Sequence, residues 1–176
     1  MDDDAKFDEL SASIGRIFLA FAHLESGLNA TIWAIQERYP DPDRDVDPPR
    51  ALSKKTEFIR RFFKAHTGWN FMSDAVHGTM KDVDTLAEYR NALAHGQIVD
   101  VPAALDGKDF DILLHKQKKG KQVFYKCHVE QDSLADVGYH TLALATFIAR
   151  LCEIIRGELE DDRLENLMRS FVSERR

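Results

Sequence analysis

Residues 7–28 read FDELSASIGRIFLAFAHLESGL, and the spacing of their apolar side chains decides the fold. Phe7, Leu10, Ile14, Ile17, Phe21, Leu24 and Leu28 recur at alternating intervals of three and four. An α-helix turns about 100° per residue, so this spacing lays them along one narrow stripe. Such a stripe belongs to a long helix in a bundle, expected to run to about Arg38.

The same period returns twice further on. Val76, Met80, Val83, Leu86, Ala87 and Leu93 predict a helix from about Phe71 to Leu93, with Gly96 in the position of a C-terminal cap. Leu134, Val137, Thr141, Leu144, Ile148, Leu151 and Ile155 predict another, from an N-cap at Asp132 to about Gly157. Between the first two, YPDPDRDVDPPR (39–50) carries four prolines among aspartates and reads as a surface loop. A shorter helix is expected over Ala51–His66, with Leu52, Ile59, Phe62 and Phe63 inward, followed by a turn at TGWN. A last short helix is expected over 162–172.

From Gln97 to Glu130 the period changes. IVDV, FDILLHK and QVFYKCHVE are short and rich in β-branched and aromatic residues, and KKGK joins the last two. That pattern predicts a small β-hairpin or meander. The fold class that follows is all-α: an antiparallel up-and-down bundle of four to five helices, with a small β-hairpin insertion around 97–130. A length of 176 residues suits one domain.

Composition narrows the class of function. With 44% hydrophobic and 31% charged residues and no apolar run of membrane-spanning length, the chain reads as a globular, cytoplasmic protein with no membrane partner. Its start, MDDDAKFDEL, is acidic where a secretory signal would be basic. Cys127 and Cys152 form no CxxC or Cys/His cluster, so neither a disulfide framework nor a metal site is expected. A formal net charge of -6 opposes wholesale coating of nucleic acid. It leaves room for a local basic face, for which Lys54, Lys55, Arg61 and Lys64 are the candidates. The histidines of the β region, His115 and His128, suit surface or packing roles better than catalysis.

The stretch EYRNALAHG (88–96) stands out. On a regular helix Val83, Leu86, Ala87, Leu93 and Ala94 all lie within about 60° of Arg90, which centres a permanent cation on the apolar stripe. Burying it requires a carboxylate such as Glu25, a phosphate ligand, or a solvent-filled groove. Asn91 and His95, four apart, share a face, whereas His95 lies about 140° from Arg90. His95 alone is also accounted for as a cation at the carbonyl end of a helix.

These residues resemble the Arg-Asn-x-x-x-His motif of the HEPN (higher eukaryotes and prokaryotes nucleotide-binding) superfamily. The likeness extends over most of the chain, through IGRIFLAFAHLESGLNATIWAI (14–35), LSKKTEFIRRFF (52–63), the helix that ends in the motif and the long final helix. It implies a bundle that forms a homodimer with the two motifs facing each other. It implies a metal-independent, cofactor-free endoribonuclease acting on RNA in defence, toxin-antitoxin or RNA processing, with an antitoxin or other regulatory protein as a further partner. Arg90 and His95 would be the catalytic pair, with Asn91 beside them. The alternative the resemblance allows is a non-catalytic dimerisation or nucleotide- or partner-binding module. Gln97 departs from the pattern of HEPN toxins paired with a nucleotidyltransferase, which typically carry tyrosine two residues after the histidine.

Overall fold

The computed structural model describes residues 3–40, 47–118, 121–130 and 132–157. Among them, five helices and one small antiparallel sheet follow in order. These are α1 (Asp3–Arg38), α2 (Leu52–Ala65), a 3-10 turn (Thr67–Trp69), α3 (Asn70–His95), β1 (Gln97–Ile98), α4 (Val101–Leu105), β2 (Phe110–Lys118), β3 (Lys121–Val129) and α5 (Ser133–Arg156). The chain is thus mostly helical, with its β insertion between α3 and α5. The helix expected over 162–172 lies outside the described residues. No described helix is long and apolar enough to cross a membrane.

Two compact units divide the chain: Met1–Ala22 with Thr85–Ala143, and His23–Asp84 with Leu144–Arg176. In the second, Leu24, Leu28 and Ile32 of α1, Ile59 and Phe63 of α2, Met72, Val76 and Met80 of α3, and Ile148, Leu151 and Ile155 of α5 are buried. α2 and α3 form an antiparallel hairpin. Phe63 meets Trp69 edge-on at 5.8 Å near its turn, and Thr56 and Arg60 both bond to Asp84, at 2.8 and 2.9 Å, further along. By contrast, α1 and α5 run in the same direction, Gly27 facing Ala145 and Ile148 while Thr31 meets Ile148. Gly27 permits this approach, since a Cβ there would stand 3.2 Å from Ile148 Cγ2. The buried Thr31 hydroxyl lies within hydrogen-bond reach of the carbonyls of Gly27 (2.9 Å) and Ile148 (3.2 Å).

An ion pair crosses this core's edge. Lys55 Nζ, in a side chain only 5% exposed, donates to Glu25 Oε1 at 2.6 Å, while the Glu25 side chain is 46% exposed. Removing the carboxylate strands a buried ammonium, whereas removing the ammonium leaves a carboxylate that water reaches. Glu25→Gln should therefore destabilise by about 2 kcal/mol, below the 3–5 kcal/mol typical of breaking fully buried pairs. Lys55→Met, which refills the volume with apolar atoms, should be close to neutral. Urea denaturation of both variants measures the asymmetry.

In the first unit the α1 stripe supplies buried Leu10, Ile17, Ala20 and Phe21. Phe7, at the head of the stripe, is 59% exposed. The reason lies in the parallel pairing. Near its start α5 places Leu134 and Ala135 with Leu10 and Ser13 around one cavity and Gly138 against Ile17, so Phe7 outruns its neighbour.

The hairpin forms as expected, with β2 and β3 in register from Phe110 opposite Val129 to Lys118 opposite Lys121. The IVDV segment does not extend as a strand. β1 pairs only Gln97 with Leu113 and Ile98 with Ile112, after which the chain turns into α4. Pro102 lacks the N–H a continuing ladder would need and suits a first helical turn. The Asp100 carboxylate accepts from the Ala103 N–H at 3.1 Å and caps that turn. Alternation gives the sheet two faces: Phe110, Ile112, Leu114 and Val129 are buried, whereas His115, Phe124, Lys126 and His128 are exposed.

Candidate functional site

All of EYRNALAHG except its glycine belongs to the last turns of α3, which stays regular to His95 and closes with the Gly96 N–H donating to the Ala92 carbonyl at 2.8 Å. The glycine ends the helix for a reason other than a left-handed cap. Among the described glycines positive φ occurs at Gly107 and Gly157 and not at Gly96. At Gly96 the constraint is space, because a Cβ would run into Ile112 Cγ2 and stand 2.6 Å from the Ala92 carbonyl oxygen. The end of the motif is pressed against β2.

Arg90 is half-buried. Its Nη1 donates to Asn91 Oδ1 at 3.1 Å, and its Cζ lies 5.3 Å from the centre of the Phe18 ring on α1. Among the described residues no carboxylate pairs with it. The carboxylate considered from sequence, Glu25, bonds Lys55 instead. A ring face and a neutral amide hold the guanidinium without cancelling its charge. Contacts of this kind contribute about 0.5–2 kcal/mol, enough to fix a side chain and too little to neutralise it. Asn91 therefore positions Arg90. No sequence signal marked Phe18, which falls beside the α1 stripe and acquires its role only from the helix opposite.

His95 is exposed at the tip of α3. Because α3 remains helical throughout, His95 and Arg90 keep the angular separation of about 140° that a regular helix imposes. The structure brings Arg90 and Asn91 together and leaves His95 on another side.

Tyr89, next to Arg90, has a buried hydroxyl without a well-formed hydrogen bond, its neighbour Ser133 donating instead to the Glu130 carbonyl at 2.7 Å, and burial pushes the phenol above the usual tyrosine range. An unmatched buried hydroxyl is a cost that phenylalanine avoids. Tyr89→Phe should leave stability unchanged or raise it by up to about 1 kcal/mol in thermal unfolding.

The four basic candidates of α2 lie in the other unit and differ in state. Lys55 is withdrawn from any solvent ligand by its burial against Glu25. Lys54 and Arg61 both bond Glu57, whose carboxyl they hold below the usual range, Lys54 foremost. Lys64 is exposed. Glu57, three residues from Lys54 and four from Arg61, is the neutralising residue that a count of cations overlooks.

Compared with protein-family models, with curated proteins and with solved structures, the chain gives no match.

Proposed function

We propose that the protein is a metal-independent endoribonuclease of HEPN type, working as a dimer whose site is assembled from the α3 ends of two copies. The observation that carries this is Arg90: a half-buried guanidinium on a helix stripe, held by Asn91 and Phe18 and paired with no carboxylate among the described residues. A fixed, unneutralised fork suits a phosphate, to which arginine can donate two parallel hydrogen bonds. His95 supplies the other function required, a group able to take up and release a proton.

RNA brings its own nucleophile. A base removes the proton of the 2'-hydroxyl, the 2'-oxygen attacks the adjacent phosphorus, and the bond from phosphorus to the 5'-oxygen breaks. An acid protonates the departing oxygen, leaving a 2',3'-cyclic phosphate and a 5'-hydroxyl. Arg90 stabilises charge growing on the phosphoryl oxygens. One α3 directs its arginine and histidine to different sides, so two copies facing each other would supply base, acid and guanidinium to a single linkage. The defence, toxin-antitoxin or RNA-processing setting, and any antitoxin partner, belong to the same proposal.

The test is chemical. With chelator present, purified protein should cleave a single-stranded RNA and leave a cyclic phosphate. The same oligonucleotide with 2'-deoxyribose at the cleaved position should be inert there. Cleavage at the deoxy position would overturn the mechanism.

A further inference from the structure

The β insertion has no part in the function just proposed, yet it starts immediately after His95 and belongs to the same unit as Arg90. β1 begins at Gln97, opposite Leu113 of β2, and Leu113 stands opposite Lys126 of β3. Paired residues of an antiparallel sheet share a face, so Gln97, Leu113 and Lys126 form one row on the exposed face. The next row on that face is His115 and Phe124, two residues or about 6.6 Å further along each strand.

That second row is unusual. The rings of His115 and Phe124 lie 4.8 Å apart, only 11° from parallel, and Phe124 is 62% exposed. A phenylalanine on the outer side of a small sheet ordinarily gains nothing from facing water, and the pair meets face to face rather than edge to face. Around it the face is polar, with Gln97, Lys126 and His128 exposed on the neighbouring rows. Lys126 and His128 share one carboxylate, Asp111, at 2.7 and 3.1 Å. An exposed flat ring stack flanked by hydrogen-bond donors has the chemistry of a surface for unpaired nucleobases. Every base has a π-face to stack, and its phosphate can compete with Asp111 for Lys126. A protein strand would instead seek a free sheet edge or an apolar pocket.

We propose, resting on the ribonuclease function above, that the outer face of the β2–β3 hairpin binds single-stranded RNA, with one base stacked on the Phe124–His115 pair. Gln97 and Lys126 lead the strand from that base toward the linkage presented to His95. The hairpin thereby restricts the substrate to unpaired RNA, because a base held in a duplex cannot reach the ring.

The experiment uses the full-length protein carrying His95→Ala, so that RNA is bound without being cut, and follows a fluorescently labelled oligouridine by anisotropy. Phe124→Ala in this background should weaken binding by roughly tenfold or more, the loss of one stacked base. Phe124→Trp should restore it, and far-ultraviolet circular dichroism should be the same for all three. Unchanged affinity in Phe124→Ala overturns the platform, and if the otherwise wild-type enzyme still cleaves RNA, the ribonuclease function stands without it. RNA bound through Phe124 by a protein that never cleaves it leaves the platform standing and overturns the ribonuclease. Phe124→Ala that abolishes self-association while RNA affinity holds assigns the face to a protein contact and overturns the proposal.

Discussion

His95→Ala should lower RNA cleavage by about 10²- to 10⁴-fold, the usual contribution of a positioned acid or base. The side chain is exposed at the tip of α3, so its removal should barely alter the folded structure, and unfolding curves should overlay those of the parent. Arg90→Ala should be comparably inactive, by about 10²- to 10³-fold if it removes a main donor to the developing charge. Arg90→Lys should recover only part, because an ammonium keeps the charge without the fork. Mixing the two inactive variants tests the assembly of the site. If arginine and histidine act across copies, a heterodimer of His95→Ala with Arg90→Ala keeps one arginine and one histidine on opposite chains, and part of the activity returns. Failure of the mixture to regain activity, with exchange of subunits demonstrated, would place both groups in one chain. Full cleavage by His95→Ala would end the assignment.

Gly96→Val should be the most damaging substitution for the fold, costing about 3 kcal/mol or more. Every added carbon enters the space between α3 and β2, where a Cβ already collides with Ile112 and crowds the Ala92 carbonyl. Ile112 is itself buried, in the β2 strand that pairs on both sides with β1 and β3, so it has little room to give way. Relief requires α3 to part from the sheet, which would also break the short β1 ladder. Thermal unfolding measures the loss. A Gly96→Val protein as stable as the parent would show that the α3–β2 approach is looser than described. Gly96→Ala should rank between the two.

Much of this architecture was legible in the sequence. The helices carried stripes long enough to average over single exceptions, and KKGK between two β-rich runs placed the hairpin turn. Helix bounds fell within a few residues of the structure, since proline, aspartate and glycine mark them for local reasons. Direction was harder to read. A stripe states that a helix has neighbours and not which way they run, so the parallel approach of α1 and α5 emerged only through Gly27 and Thr31. Pro102 could have limited β1, had its missing N–H been weighed against the β-branched residues around it. At the candidate site, Arg90 was conspicuous because a cation on a stripe violates the pattern. Its partners were not, because Phe18 only flanks the α1 stripe and Asn91 lies next in sequence. Lys55 shows the opposite error, since a cation among cations looks solvated until its burial against Glu25 is seen.

The parallel course of α1 and α5 sets like poles beside each other. Two carbonyl ends, each equivalent to about half a negative charge, emerge on the same side, where antiparallel neighbours would have cancelled. The last turn of each helix carries an arginine, Arg38 on α1 and Arg156 on α5, and the two line one cleft of about 500 Å³ together with Glu37. At the opposite poles, Asp4 stands near the start of α1 and Asp136 in the first turn of α5. Within each unit the charged side chains therefore stand where the backbone presents the opposite sign, carboxylates at helix starts and arginines at helix ends.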